Sequence, residues 1–239
     1  MPTPLARRSL ALVVLLTACG QPAWQAGTMD HPTVMLSLEE RQAGWRPLFD
    51  GVSLFGWRMY RGGEPTGWRV VNGAIERGTG GGDLVTSETF ANFELALDWK
   101  VAPGGNSGII YRIADTGEHT YETGPEMQVL DDDRHADGRS RLTSAGAVYG
   151  LYPAPIGVVK PANEWNAARI VVNGNHVEHW LNGTPVAKYD LGSVDWEQRV
   201  AASKFNDWKG YGRASRGRIG LQDHGDPVSY RNIRIRVLP

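Results

Sequence analysis

Glu126 and His224, a carboxylate and an imidazole, form the titratable pair of this sequence, and each sits in a short segment whose alternation turns it outward. In Pro125–Asp133 (PEMQVLDDD), Met127 and Val129 must face a core, so Glu126 and Gln128 project together from the opposite side. In Leu221–Gly225 (LQDHG), Leu221 packs inward and leaves Gln222 and His224 pointing out. In Gly105–Arg112 (GNSGIIYR), Arg112 shares a face with Ile110. Placed side by side in one sheet, these strands bring Glu126, Gln128, Gln222, His224 and Arg112 onto one concave surface. Amides and carboxylates exchange hydrogen bonds with hydroxyls, and aromatic faces stack on sugar rings, so the constellation suits a polyhydroxylated ligand.

Each of these residues also has a plainer role open to it. An outward glutamate is solvated by default, and Arg112 with Glu126 makes an ordinary cross-strand ion pair. His224, between Asp223 and Gly225, also suits a turn. His176 and His179 fall on opposite faces of one strand, cannot share a metal and read as structural. Asp131–Gly138 (DDDRHADG) resembles a calcium loop. Counting from Asp133, however, puts Ser144 where the bidentate glutamate belongs, which leaves at most a different, weaker divalent-cation site there. Gly78–Asp83 lacks the last glycine of a dinucleotide fingerprint and precedes a strand. Asn182-Gly183-Thr184 matches a glycosylation sequon in a hairpin turn.

The elements that must position these residues repeat with a period of two. Asn92–Val101 (NFELALDWKV) places Phe93, Leu95, Leu97, Trp99 and Val101 on one face and Glu94, Ala96, Asp98 and Lys100 on the other. Similar runs cover 68–71, 108–113, 126–130, 168–172, 176–181, 217–221 and 233–238, separated by Asn-Gly and Gly-Gly turns. No helix-period segment of useful length intervenes after residue 44. The pattern predicts an all-β, two-sheet antiparallel sandwich of jelly-roll type. Two longer connections, 131–145 and 195–217, interrupt the rhythm and read as functional or mobile loops.

Ahead of this domain, Arg7 and Arg8 precede the apolar run Ala11–Leu16 and the sequence Leu16-Thr17-Ala18-Cys19, the pattern of a secretory signal peptide over residues 1–18. The ending looks like a bacterial lipobox, with Cys19 as the lipidated first residue of the mature chain. Cys19 is the one cysteine among 239 residues, so a disulfide within the chain is excluded. Residues 19–43 then read as a tether ending in a short helix, capped by Ser37 with Glu40 closing a capping box. The expected location is the bacterial cell envelope, periplasmic or at the cell surface. A formal net charge of -1 with no basic block argues against nucleic acid as a partner.

The ordered set GWRPLFDG, LFGWR, WRVVNGAI, NFELALDWKV, GNSGIIYR, PEMQVLDD, AGAVYGLY, VVKPANEWN, HWLNG, GLQDHG and RNIRIRVL resembles the 3-keto-disaccharide hydrolase family over about residues 44–239. Pro125 stands where a Tyr is more usual. The resemblance implies a concanavalin-like jelly roll, a 3-keto-glycoside substrate and an upstream sugar 3-dehydrogenase to supply it. It also implies chemistry that needs a base, a donor for an enolate oxygen, and an acid or divalent cation for the leaving group. Under it, Glu126 and His224 are the proton-transferring pair. Arg112, Lys160 and Tyr149 are expected to hold the oxyanion, and Gln128 and Gln222 to orient hydroxyls. Asn106 and Asp131 are expected to border the surface and coordinate substrate or cation. A carbohydrate-binding module on the same sandwich is the alternative, but it needs aromatic platforms and no titratable pair.

Overall fold

The computed structural model describes residues 1–2 and 36–239, so the signal segment, Cys19 and most of the tether lie outside the described residues. Helix α1 (Leu38–Gln42) starts at Ser37. The Ser37 Oγ accepts from Glu40 N at 3.0 Å, and Glu40 Oε2 accepts from Ser37 N at 2.8 Å. Thirteen strands follow: β1 (Trp45–Pro47), β2 (Trp57–Met59), β3 (Trp68–Val71), β4 (Ala74–Arg77), β5 (Leu84–Thr86), β6 (Phe93–Val101), β7 (Asn106–Ile113), β8 (Glu126–Leu130), β9 (Asn166–Asn173), β10 (His176–Leu181), β11 (Thr184–Asp190), β12 (Arg218–Leu221) and β13 (Val228–Val237). The larger sheet runs β11-β10-β9-β6-β13-β4-β3, with β1 added on β13, and the smaller runs β2-β5-β12-β7-β8. Every strand pair is antiparallel, as the alternation predicts.

The core lies between the sheets. Phe93, Leu95, Leu97 and Trp99 of β6 meet Ile109 and Tyr111 of β7, Met127 and Val129 of β8, and Ile219 and Leu221 of β12, all at most 2% exposed. Each such side chain, fully withdrawn from water, stabilises the fold by roughly 1.5–3 kcal/mol. Asp98, on the outward face of β6, is not idle. Its Oδ2 accepts from Asn232 Nδ2 at 2.7 Å, holding Asn232 (φ 53°) at the bulge where β13 slips register against β6.

The two outer faces differ in how their charges are used. On the larger sheet, buried Glu94 is held between Arg169 and Arg236, Asp98 pairs with Arg231, and Glu178 pairs with Lys188. Trp45 and Trp180 lie under arginines of that face, so its carboxylates and aromatic rings are occupied by its own cations. On the smaller sheet, several buried polar groups have no such partners. The long connection 195–217 is partly helical: α2 (Val194–Ala201) is followed by a 3₁₀ turn, Lys204–Asp207. Only two of the eight residues in α2, Trp196 and Val200, are buried, too short a stripe to show as a helical period in sequence. Trp196 stacks on Tyr189 of β11 (5.2 Å) and on Tyr211 (5.8 Å), and Tyr211 on Phe205 (4.2 Å), pinning this segment to the core through the larger sheet's edge strand.

Candidate active site

Three neighbouring strands of the smaller sheet assemble the site. β8 supplies Glu126 and Gln128, β7 supplies Asn106, and the chain leaving β12 supplies Gln222 and His224. With Tyr121, Tyr149, Lys204 and Phe205 they line a cavity of about 140 Å³. The register is set by the ladder: Gly108 faces Gln128 across β7–β8, and Gln222 N donates to Gly108 O at 3.0 Å. Gly108 itself explains how a glutamate fits there. A Cβ at this position would overlap Glu126 Oε1, so the missing side chain leaves the room in which the carboxyl group lies against the β7 backbone.

Glu126 is buried, and among the described residues its carboxyl group has no hydrogen-bond partner. Burial raises its pKa from 4.5 to about 8. Negative charge at Asp83 and Asp137 adds to the rise, and the Lys204 ammonium opposes it. Lys204 Nζ rests 4.5 Å from the Tyr149 ring centroid and 5.5 Å from that of Phe205, with no ion-pair partner among the described residues. Tyr149 donates its hydroxyl to Asp137 Oδ2 at 3.3 Å, and its pKa rises to about 12 through burial first and nearby carboxylates second, so it stays a phenol.

Two buried acceptors complete the cavity. Gln128 Nε2 donates to Thr143 O at 3.2 Å and Asn106 Nδ2 lies 3.4 Å from His224 Nε2, yet Gln128 Oε1 and Asn106 Oδ1 have no partner among the described residues. A buried carbonyl left unpaired costs about 1–3 kcal/mol. Two of them in one cavity indicate a site completed by a ligand that donates hydrogen bonds.

His224 is half-exposed at the cavity mouth, but the backbone around it is clamped. Asp223 N donates to Asp83 Oδ1 at 2.8 Å, and Arg77 donates from Nε to Asp223 Oδ1 (2.5 Å) and from Nη1 to Gly225 O (2.6 Å). Arg77 belongs to β4 of the larger sheet, so both sheets fix the backbone that carries His224. Asp83 is itself mostly buried, and desolvation raises its pKa although Thr120 donates to it.

Glu126, Gln128, Asn106, Tyr149, Gln222 and His224 thus come together as expected, and three other predicted residues do not. Arg112 takes φ 52° at a bulge where β7 slips register against β12. The bulge swings its guanidinium off the face of Ile110 to donate to Gly174 O (2.6 Å) and Ala91 O (3.2 Å), tying the smaller sheet to the β9–β10 turn. Asp131 is a turn-former: it accepts from Gly104 N at 2.6 Å and Asp133 N at 3.2 Å. Lys160 donates to Trp165 O at 3.0 Å, and both Asp131 and Lys160 line a separate cavity of about 330 Å³. The carboxylates of Asp131 and Asp132 bond backbone N–H groups, Asp132 taking Ala145 N at 2.8 Å, and those at 131–133 do not converge with ligand spacing among the described residues. Among the described residues the grouping with ligand spacing is instead exposed Glu118 and His119 with half-buried Glu122, on the loop after β7.

The residues that sequence reasoning missed are Lys204, Phe205, Tyr121, Asp83 and Arg77. The one available signal was that the long connection 195–217 mixes basic residues with aromatics.

The chain resembles proteins of known family along nearly its whole described length. It is 37% identical over 228 residues to a 3-keto-disaccharide hydrolase of Bacteroides thetaiotaomicron, covering 82% of this chain and 79% of that protein. The crystal structure of a candidate glycosyl hydrolase from Parabacteroides distasonis superposes with a TM-score of 0.80 at 34% identity, over 86% of this chain and 99% of that one. A Bacillus subtilis protein with a galectin-like fold shares the sandwich alone, with a TM-score of 0.50 at 16% identity over 80% of this chain and 94% of the other. Residues 44–236 match the family described as the 3-keto-α-glucoside-1,2-lyase-like domain, and to that family this chain belongs.

Proposed function

We propose that this protein hydrolyses glycosides whose glucose ring carries a ketone at C3, 3-keto-disaccharides among them, by elimination followed by hydration. The observation that carries the reading is the buried Glu126, its pKa raised to about 8, in a cavity whose two unpaired carbonyl oxygens await donors. The family and the name of the Bacteroides relative support it.

The C3 ketone makes the C2 proton acidic and places the C1 oxygen β to the carbonyl. Glu126 takes the C2 proton, the C2–H electron pair forms the enolate, and the Lys204 ammonium stabilises the negative oxygen. As the enolate collapses, the C1–O bond breaks and His224, at the mouth, protonates the departing oxygen. Water then adds across C1–C2. His224 takes a proton from it, C1 receives hydroxide and C2 recovers the proton from Glu126, giving 3-keto-glucose with both side chains restored. Asn106 Oδ1 and Gln128 Oε1 accept from ring hydroxyls throughout. This route needs no second carboxylate across the glycosidic bond, unlike ordinary glycoside hydrolysis.

Because the base must be ionised and the acid at the mouth protonated, kcat/KM for a 3-keto-disaccharide should be bell-shaped with pH, one limb being that of Glu126 near 8. Lys204→Met should move that limb to higher pH, since the ammonium is what favours the carboxylate. The unoxidised disaccharide should be inert. Binding of the 3-keto sugar without turnover would replace this reading with a carbohydrate-binding module, and an unmoved limb would remove Lys204 from its role.

We also propose a lipid anchor at Cys19 as the route to the cell envelope, on the strength of Leu16-Thr17-Ala18-Cys19. Cys19→Ser should shift the protein from the membrane to the soluble fraction with its activity intact. Recovery of wild-type protein with an unmodified thiol would rule the anchor out.

A further inference from the structure

His224 makes two proton transfers in the reaction given above: one to the departing oxygen, then one from the attacking water. Both must pass through the ring nitrogen that faces the substrate, yet either nitrogen of an imidazole can hold the proton. We propose that Asp226 settles which nitrogen does so, as a positioning residue that acts through His224. The proposal rests on that reaction. Asp226 does not line the inner cavity, so its effect on the substrate must pass through the imidazole.

The chain turns back on itself to bring the two side chains together. Gly225 takes φ 100°, its N–H donating to Asp223 Oδ1 at 3.0 Å and its carbonyl accepting from Arg77, and Asp226 returns towards the imidazole two residues before it. His224 Nδ1 stands 3.8 Å from Asp226 Oδ2, within ion-pair range. That oxygen also accepts from Asn106 N at 3.1 Å, which fixes the carboxylate against the start of β7. On the other edge of the ring, Asn106 Nδ2 lies 3.4 Å from Nε2. An amide N–H facing Nε2 leaves that nitrogen its lone pair, so the neutral ring keeps its proton on Nδ1, beside the carboxylate. His135 lies edge-on to His224, with ring centroids 6.2 Å apart, but its Nδ1 accepts from Asp137 N at 3.1 Å. Its other nitrogen is then a donor and cannot take the place of Asp226.

Nε2 therefore does the chemistry. With both nitrogens protonated, the ring is a cation whose charge the Asp226 carboxylate offsets. It passes the Nε2 proton to the glycosidic oxygen and becomes the neutral form with its proton on Nδ1. Nε2 then takes a proton from water as hydroxide adds at C1, and the cation is restored. Asp226 stays a carboxylate throughout. Such a pair is worth little while it faces open water, but catalytic contacts of this kind tighten in the substrate complex.

Asp226→Asn keeps the turn and an oxygen for Asn106 N while removing the charge. On a 3-keto-disaccharide it should lower kcat by about tenfold and leave KM within about twofold of wild type. A 4-nitrophenyl 3-keto-glucoside separates this role from a structural one, because nitrophenolate departs without a proton. Its release in the first turnover should stay within about twofold of wild type. In a His224→Ala background the same substitution should add less than about a twofold loss, since the group it acts through is gone. Equal losses on the two substrates, an unchanged kcat on the disaccharide, or the full loss recurring without His224 would overturn the role of Asp226 and leave the reaction standing. Failure of the wild-type chain to turn over either substrate would overturn the reaction itself, and this inference with it.

Discussion

Glu126→Gln should lower kcat on a 3-keto-disaccharide by about a thousandfold, within the range for loss of a general base, and should at the same time stabilise the fold. The two effects share one cause. Glu126 is buried and its carboxyl group has no hydrogen-bond partner among the described residues, so its carboxylate form is penalised and its pKa stands near 8 against an ordinary 4.5. When it does ionise it is a far stronger base than a solvated glutamate, which abstraction of a C2 proton requires. The amide keeps the shape and loses the basicity.

For stability, the folded pKa lies above the unfolded one. Between about pH 4.5 and 8 the folded chain therefore retains a proton that the unfolded chain has shed, and stability falls as pH rises through that window. Glutamine carries no such penalty. The gain from the substitution should be near zero at pH 4 and reach up to about 3 kcal/mol at pH 7, from 1.36 kcal/mol per pKa unit. Thermal unfolding at pH 4 and pH 7, alongside turnover, measures both. Retained activity, or the same stability change at the two pH values, would show that Glu126 is not the buried base described here.

Gly108→Ala should cost turnover by about a hundredfold or more, although it adds a single methyl group, because misplacing a reacting group by about 1 Å carries losses of that order. Gly108 sits in regular extended strand, so alanine meets no backbone strain. Its methyl group would collide with the Glu126 carboxyl carbon at 2.6 Å and Cγ at 2.8 Å as well as with the nearer oxygen. The glutamate must leave its place over β7. Combining the two changes tests the mechanism: in a Glu126→Gln background the alanine should add little further loss, since the group it displaces is already inactive. Full additivity would mean that Gly108 serves some other part of the site.

Much of this was legible in the sequence, and the reason is local. A strand's side chains alternate by geometry, so Met127 and Val129 inward entail Glu126 and Gln128 outward, and the same argument places Gln222 and His224 opposite Leu221. The Ser37–Glu40 capping box is equally local, since its two bonds span three residues. The argument broke down where the alternation did. Arg112 lies at a bulge, and one left-handed residue is enough to send its side chain to the end of the sandwich. Asp131 and Lys160 follow strand or loop ends, where pleat geometry no longer predicts direction.

The sequence by itself determined the antiparallel sandwich, the inward stripes that pack it, and a polar face bearing a carboxylate and an imidazole. Each of these follows from period-two alternation and turn residues, which act over a few positions. Only the tertiary structure decided which of two polar faces is free to bind. The larger sheet's carboxylates are paired with its arginines, whereas Asn106 Oδ1 and Gln128 Oε1 beside Glu126 have no partner among the described residues. It alone brought Lys204 over Tyr149, by stacking Phe205, Tyr211 and Trp196, and reached from Arg77 across 146 residues of chain to hold Asp223 beside His224. The Glu126 pKa belongs with these. It arises from the low-dielectric surroundings that distant segments create, and burial of that kind is a property of the assembled fold.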